Sequence, residues 1–331
     1  MIRKIFSVAA GFAIASLFTW LLVREVSWHE VEAALSGARL VLLFVGLILL
    51  AADYGVRIVR WQMLLSFTGD KVTYVQVISP LLAGFAANNI LPFRIGDVMR
   101  VVMLRRATRT SLANGVGTLL IERVWDLATL SLLFVAGLQA DNARSVSQFV
   151  PTAMGLVCVG AGALMLVALF ANPLANRLVD IKVKHPLAEA GLRLTGKLCR
   201  ALADISRPMN ILRLSILSLM VWGIEGLVLY CCGLALHMAL PFSVTYFILA
   251  SANLSGLLPG TPGNVGTFHY FAVLAATSFG VNADQAAALA ILFHALMWVP
   301  ITLSGLICLV ASPIGFRKGV LMKSISARGE F

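Results

Sequence analysis

Long apolar runs alternate with short polar segments along most of the chain. Six of these runs are long enough to cross a bilayer, because the hydrocarbon core requires a helix of about 20 residues. They are residues 5–23, 40–59, 112–138, 150–171, 211–236 and 284–311. The pattern predicts an all-α polytopic membrane protein with about six full transmembrane helices.

Two further apolar stretches, 74–104 and 243–280, are interrupted in the middle by polar segments that contain proline and glycine. Irregular backbone at membrane depth is tolerated only where protein or a wet cavity surrounds it. We therefore expect each stretch to form a re-entrant helical hairpin. The residues predicted to act as hinges at the two breaks are Pro92, Gly96, Pro259, Pro262, Gly263 and Gly266.

The two broken stretches share short sequence matches in the same order. The tripeptide at 72–74 recurs at 244–246, and the Pro-x-x-Ile-Gly of 92–96 resembles the Pro-x-x-Val-Gly of 262–266. An apolar span precedes and follows each stretch. The pattern indicates an inverted repeat, a design found in transporters that expose one site alternately to the two sides of a membrane.

This arrangement predicts a single integral membrane domain over residues 1–331. Its parts are a first span and outer loop (1–39), repeat 1 (40–138), a linking span with a basic linker (139–210), repeat 2 (211–311) and a basic tail (312–331). Within the linker, residues 187–205 indicate either an amphipathic surface helix or a solvated loop.

Composition supports a membrane location. Hydrophobic residues make up 60% of the chain and charged residues 12%, whereas soluble domains are about 25% charged. These values exclude a soluble enzyme or nucleic-acid-binding domain. With both termini cytoplasmic and both hairpins returning to their side of entry, cytoplasmic segments hold twenty of the 26 Lys and Arg residues, as the positive-inside rule requires.

Ionisable residues inside apolar segments are costly and usually face the protein interior or water. The densest cluster, Glu122, Arg123 and Asp126, lies in the 112–138 span. One arginine cannot neutralise two acids, so another cation is expected nearby. The candidates are Arg57, Arg60, Arg94 and Arg100. The cluster predicts either a head-group site or a salt bridge that only joins helices.

Arg94 and Asp97 occupy the tip of the first predicted hairpin. Arginine beside freed backbone N–H groups is suited to bind phosphate. The alternative is a structural ladder of Arg94, Asp97 and Arg100. In the second half, His269 and His294 suggest either hydrogen-bonded core residues or a proton-coupled step that follows a titration near neutral pH.

The motifs resemble the transmembrane region of the lysylphosphatidylglycerol synthases over about residues 5–312. The matching segments are Arg60-Trp61, Asn88-Asn89-x-x-Pro92-x-Arg94-x-Gly96-Asp97, Glu122-Arg123-x-x-Asp126 and Pro262-Gly263-Asn264-Val265-Gly266. The resemblance implies lipid movement across a bacterial cytoplasmic (inner) membrane. We expect no soluble aminoacyltransferase domain and hence no lipid synthesis by this chain, and His294 occupies a position where relatives often carry arginine.

These observations together predict a lipid flippase or scramblase that moves an anionic, phosphate-bearing lipid, either a phospholipid or a polyprenyl-linked lipid. Its predicted head-group site comprises Arg60, Asn88, Asn89, Arg94, Asp97, Arg100, Glu122, Arg123, Asp126, Asn264, His269 and His294. The arginines would hold the head group, the acids would position them or bind an amine, and the amides would add hydrogen bonds.

We expect no metal and no cofactor, because the five cysteines form no CxxC pair and no nucleotide-binding motif is present. Membrane lipids are the expected partners, together with a homo-oligomer or an envelope-biosynthesis protein, and nucleic acid is not. The alternatives are an accessory subunit of a lipid-modifying complex, an intramembrane transferase and a small-solute transporter.

Overall fold

The computed structural model of the protein describes residues 13, 16–138, 155, 208–257 and 262–311. The helices of this part are α1 (16–25), α2 (Trp28–Ser36), α3 (Leu40–Phe67), α4 (Tyr74–Ile90), α5 (Ile95–Thr108), α6 (Leu112–Leu138), α7 (Pro208–Ala235), α8 (Phe242–Leu254), α9 (Thr267–Thr277) and α10 (Ala283–Ala311). Short 3-10 turns follow α4 and α8 and precede α9.

Three of the described helices, α3, α7 and α10, are long and apolar enough to cross a membrane. Helix α6 has 27 residues but carries a cluster of three charged side chains in its middle. The chain is thus a helical, multi-pass membrane protein. The predicted span 5–23 is described only in part, and the span 150–171 and the linker helix 187–205 lie outside the described residues, so the number of spans stays a prediction.

The chain folds back at both predicted breaks. After α4, a 3-10 turn at Pro92–Arg94 leads into α5, and Leu81 of α4 and Leu104 of α5 lie in one buried cluster. In the second half, Phe247 of α8 lies 5.1 Å, ring to ring, from Phe279 just after α9. The two arms of each hairpin therefore pack on each other.

Glycine permits both the close helix contact in the first hairpin and the turns in the second. Gly84 of α4 faces Gly96 of α5, and a Cβ added at Gly96 would overlap the Gly84 carbonyl oxygen. At the second break, Gly263 and Gly266 have φ of 64° and 91°, values that disfavour residues with a side chain. Gly96 is therefore a packing contact, while its predicted role as a hinge is untested; Pro259 lies outside the described residues.

The packing partners of the two halves correspond. Helix α3 packs along α7, while the first hairpin packs on α10 through α4 and the second packs on α6 through α8. Helix α5 also contacts α6, as α9 contacts α10. Each hairpin is thereby held against the last helix of the opposite half, which brings the two hairpin tips together at the centre.

Replacing Gly96 by alanine should destabilise the first hairpin, because the new methyl group has no space between α4 and α5. Overpacking of this kind costs about 1–3 kcal/mol. The matched control is Gly55→Ala in α3, where an added Cβ meets nothing within 4 Å and alanine favours the helix by up to ~1 kcal/mol. Thermal denaturation of the purified protein should show a lower midpoint for G96A only. Equal midpoints for the two variants would contradict the packing assignment.

Candidate functional site

A cavity of about 460 Å³ lies where the two halves meet. It is lined from α3, α4 and α6 to α10 and from both helix breaks. Seven residues of the predicted head-group site line it, namely Asn88, Asn89, Arg94, Arg123, Asp126, Asn264 and His294. The further polar and aromatic lining includes Tyr54, Arg57, Trp222, Glu225, Asn253 and Trp298. The cavity therefore draws polar groups from both halves.

Three predicted site residues lie behind this lining instead. The side chains of Arg60, Arg100 and Glu122 are at most 4% exposed. Arg60 donates to Asp126 at 2.7 Å and to Ser218 at 3.1 Å, while Arg100 pairs with Glu122 at 2.5 Å. The geometry assigns these three side chains to the framework that holds the lining in place.

A second buried network joins the halves. Arg57 donates to Asp53 at 2.7 Å within α3 and to Glu225 of α7. Asn253 of α8 donates to the other Glu225 oxygen at 3.3 Å. The Arg57 guanidinium also lies 5.5 Å from the ring of Trp222, within cation–π range. The sequence signal for Asn253 is an amide side chain near the end of a mainly apolar helix.

Asp97 is bound by two side chains at the edge of the cavity. Arg123 donates to its two oxygens at 3.1 and 3.2 Å, and Asn88 donates to it at 3.0 Å. The ladder of Arg94, Asp97 and Arg100 considered from the sequence is therefore wrong. Asp97 pairs with Arg123 instead, because α6 packs against α5 and places its charged turn beside the start of that helix.

Arg94 differs from the other four arginines of the site. Arg57, Arg60, Arg100 and Arg123 each lie within 4 Å of a carboxylate. In the described part of the chain, Arg94 has no carboxylate at that distance, and its Nη2 donates to the carbonyl oxygen of Gly256 at 2.9 Å. Its side chain is exposed to the cavity. Arg94 thus presents a positive charge that none of the described acidic side chains pairs with directly.

A second donor lies beside Arg94. A Cβ added at Gly256 would be 3.0 Å from Arg94 Nη2 and 3.1 Å from the amide nitrogen of Asn264. The two groups come from opposite hairpin tips, and Arg94 and Asn264 both have left-handed backbone, with φ of 51° and 56°. Residues in such conformations are often found where function requires them. Two N–H donors therefore converge at one point of the cavity.

The remaining predicted residues, Asn89, His269 and His294, lie on the side of the site that the second half of the chain forms. Asn89 donates to Thr302 of α10 at 2.8 Å. His294 lines the cavity, and His269 stacks on it with ring centres 4.7 Å apart. His269 is not itself a lining residue. Among the described residues, no group of three or more metal-binding side chains occurs.

The charge and polarity of the cavity suit an amphipathic anion. Its lining contains three arginines and two carboxylates. Arg57 and Arg123 are also paired with Asp53 and Asp97 just behind the lining, so the charge of Arg94 is the one left without a paired carboxylate among the described residues. Apolar side chains, including Leu91, Leu257, Met297 and Ile301, form the rest of the wall. A phosphate with a hydrocarbon chain is complementary to both parts.

Comparison with known families matches residues 8–305 to the lysylphosphatidylglycerol synthase TM region. The chain belongs to this family. The match confirms the resemblance that the motifs suggested.

Similar proteins come from archaea. A UPF0104 membrane protein of Methanocaldococcus jannaschii is 26% identical over 66% of this chain and 91% of its own length. A UPF0104 membrane protein of Methanothermobacter thermautotrophicus is 22% identical over 92% and 93% of the two chains. The glycosyltransferase AglD of Haloferax volcanii is 23% identical over 87% of this chain. The match covers 52% of the length of AglD, so this chain corresponds to about half of that protein.

Removing Arg60 should destabilise the protein far more than removing Arg94. In Arg60→Gln, the buried Asp126 loses its closest cation, and breaking such a pair costs about 3–5 kcal/mol. Arg94→Gln removes an exposed side chain that binds only a carbonyl oxygen, so its stability should change little. The check is the thermal midpoint of each purified variant without lipid substrate. Similar losses for the two variants would contradict the division into framework and lining.

Proposed function

We propose that this protein binds an anionic, phosphate-bearing lipid in the central cavity and moves its head group across the membrane, without chemical conversion. The lipid is a phospholipid or a polyprenyl-linked lipid. The observation that carries the proposal is the convergence of Arg94 and Asn264 from the two hairpin tips, with Arg94 lacking a carboxylate partner among the described residues.

Phosphate is the ligand that this donor set favours. A guanidinium group presents its N–H donors in a planar fork that matches phosphate oxygens, and bonds between ionised partners are about twice as strong as neutral ones. Arg94 now donates one hydrogen bond to the uncharged carbonyl oxygen of Gly256. A phosphate can replace that carbonyl and also accept from the Asn264 amide. The apolar wall then faces the hydrocarbon part of the lipid.

The proposed movement uses an inverted repeat in which α3–α6 correspond to α7–α10. The corresponding packing partners of the halves support this relation. Because the lipid site lies between the two hairpin tips, rocking one repeat against the other would open it to either side in turn. The proposal keeps both termini cytoplasmic, in agreement with the positive-inside distribution of charge, and places the protein in a bacterial cytoplasmic membrane. It requires membrane lipids as partners and allows a homo-oligomer or an envelope-biosynthesis partner.

Proton coupling through the stacked pair His269 and His294 stays a hypothesis within this proposal. It predicts that the rate of lipid movement follows a titration near neutral pH and that His294→Gln removes this dependence. A flat pH profile of the wild-type rate would exclude it.

A second candidate function is an intramembrane lipid-linked transferase, which the similarity to a protein named glycosyltransferase AglD favours. A carboxylate that acts as a general base must be free to accept a proton. The two carboxylates that line the cavity, Asp126 and Glu225, are each bound to arginine, which disfavours a carboxylate as the base. Incubation with labelled lipid followed by chromatography for a new product distinguishes transfer from transport. An accessory role predicts instead a stoichiometric partner after purification from native membranes.

The test of the proposed function is lipid translocation in proteoliposomes, with head-group-labelled lipids and an impermeant quencher. Phosphatidylglycerol, phosphatidylethanolamine and a polyprenyl phosphate form the panel. Arg94→Gln should slow movement of the preferred lipid roughly 10- to 100-fold, since a hydrogen bond to a charged group contributes about 1.5–3 kcal/mol. Arg94→Lys should retain part of the rate because the positive charge is kept.

The matched control is Arg106→Gln, which removes an exposed arginine of the same hairpin outside the cavity. It should translocate at the wild-type rate. Well-folded wild-type protein that moves no lipid of the panel would contradict the proposed function. Wild-type movement that is unchanged in Arg94→Gln would retain transport but contradict the assignment of Arg94.

A further inference from the structure

A second concave site lies on the outside of the first repeat, between α5 and α6. It is a groove of about 330 Å³. Apart from Asp97 and Arg123, its lining is aliphatic throughout, with Val98 and Val102 on α5 and Val116 and Leu120 on α6 among its walls. Val98 is 65% exposed and Leu120 52%. The groove is therefore open along its length and offers no hydrogen bond except at its charged residues.

Two contacts between α5 and α6 mark the ends of this groove. They touch where Gly115 of α6 meets Val101 of α5, since a Cβ at Gly115 would press on the Val101 side chain. Two helical turns further along α6, about 12 Å at 1.5 Å per residue, Arg123 bridges to Asp97 of α5. The aliphatic walls thus lead from a tight helix contact to an ion pair.

This ion pair separates the groove from the central cavity, because Arg123 lines both. It is also more accessible than the buried pairs of the framework. The side chains of Arg123 and Asp97 are 31% and 19% exposed, compared with 1% and 4% for Arg100 and Glu122. Arg123, which also lies 3.6 Å from Asp126, is therefore the paired arginine that another anion reaches most easily, and Asp97 remains partly exposed if it is displaced.

We propose that the groove between α5 and α6 binds a hydrocarbon chain of the transported lipid, and that Arg123 receives the lipid phosphate at the boundary between groove and cavity. The inference rests on the proposed function for the identity of the head group. The chain stays on the aliphatic walls of the groove, at the surface of the protein, while the phosphate replaces Asp97 on Arg123 and passes to Arg94. Asp97 keeps the hydrogen bond from Asn88 during this exchange.

The position of an aliphatic groove next to a cavity that contains arginine indicates which molecule would occupy the groove. A peptide or a polar solute would leave its hydrogen-bonding groups unsatisfied against valine and leucine side chains. A hydrocarbon chain has no such groups, and in a lipid it is joined directly to the anion that Arg123 and Arg94 can bind. The groove and the cavity thus match two covalently connected parts of one molecule.

The test is photo-cross-linking in proteoliposomes of phosphatidylcholine that contain a trace of phosphatidylglycerol with a diazirine in one acyl chain. Mass spectrometry locates the cross-links along α6. We expect severalfold more cross-linking at Val116 and Leu120 than at Leu132, which lies on the same helix, is 59% exposed and is not part of the groove. The enrichment should disappear in Arg123→Gln, and for a diacylglycerol probe that lacks the phosphate.

Equal cross-linking at the three positions would mean that the groove meets only ordinary surrounding lipid, and would overturn the inference. Enrichment that persists with diacylglycerol or in Arg123→Gln would overturn the role of Arg123.

In the translocation assay, Leu120→Trp should slow lipid movement and Leu132→Trp should not. A wild-type protein that moves lipid, with uniform cross-links and an active Leu120→Trp variant, would refute this inference and leave the proposed function intact. A wild-type protein that moves no lipid would refute the function, and the cross-links would then decide the groove alone.

Discussion

A charged side chain within a membrane has to be paired, because transfer of an isolated charge out of water is expensive. The described helices contain five arginines and five carboxylates around one centre, and this constraint accounts for most of the contacts there. Arg57 connects α3 to α7, Arg60 connects α3 to α6, and Arg100 connects α5 to α6. Helices that share little hydrophobic driving force inside a bilayer are thereby fixed to one another by ion pairs.

The same constraint makes the exception informative. The five carboxylates pair with four of the arginines. The fifth, Arg94, lies at a hairpin tip and donates to a carbonyl oxygen instead. The proposed anion site lies there, since a ligand that brings its own negative charge would complete the pairing. Asn264 contributes from the opposite tip, so that the site depends on both halves of the chain.

Close backbone approach is the second condition for this geometry. The tip of the first hairpin reaches the centre because Gly84 and Gly96 let α4 and α5 touch, and the second reaches it because Gly263 and Gly266 adopt positive φ. Gly96, Gly263 and Gly266 lie within the family match, which covers residues 8–305. The framework pairs, the hairpin turns and the lining form one connected arrangement.

The sequence by itself determined the membrane class, the two broken helices and the family, because the bilayer imposes length and apolarity on each segment separately and a break shows locally as proline, glycine and polar residues. It also singled out seven of the residues that line the cavity. The tertiary structure alone decided the pairing of charges. Arg57 and Glu225 are 168 positions apart, and Asp97 lies near three arginines in sequence or in space, so neither partner follows from local spacing. Which helix packs on which selects each partner, and this selection placed Arg60, Arg100 and Glu122 in the framework and left Arg94 facing the cavity.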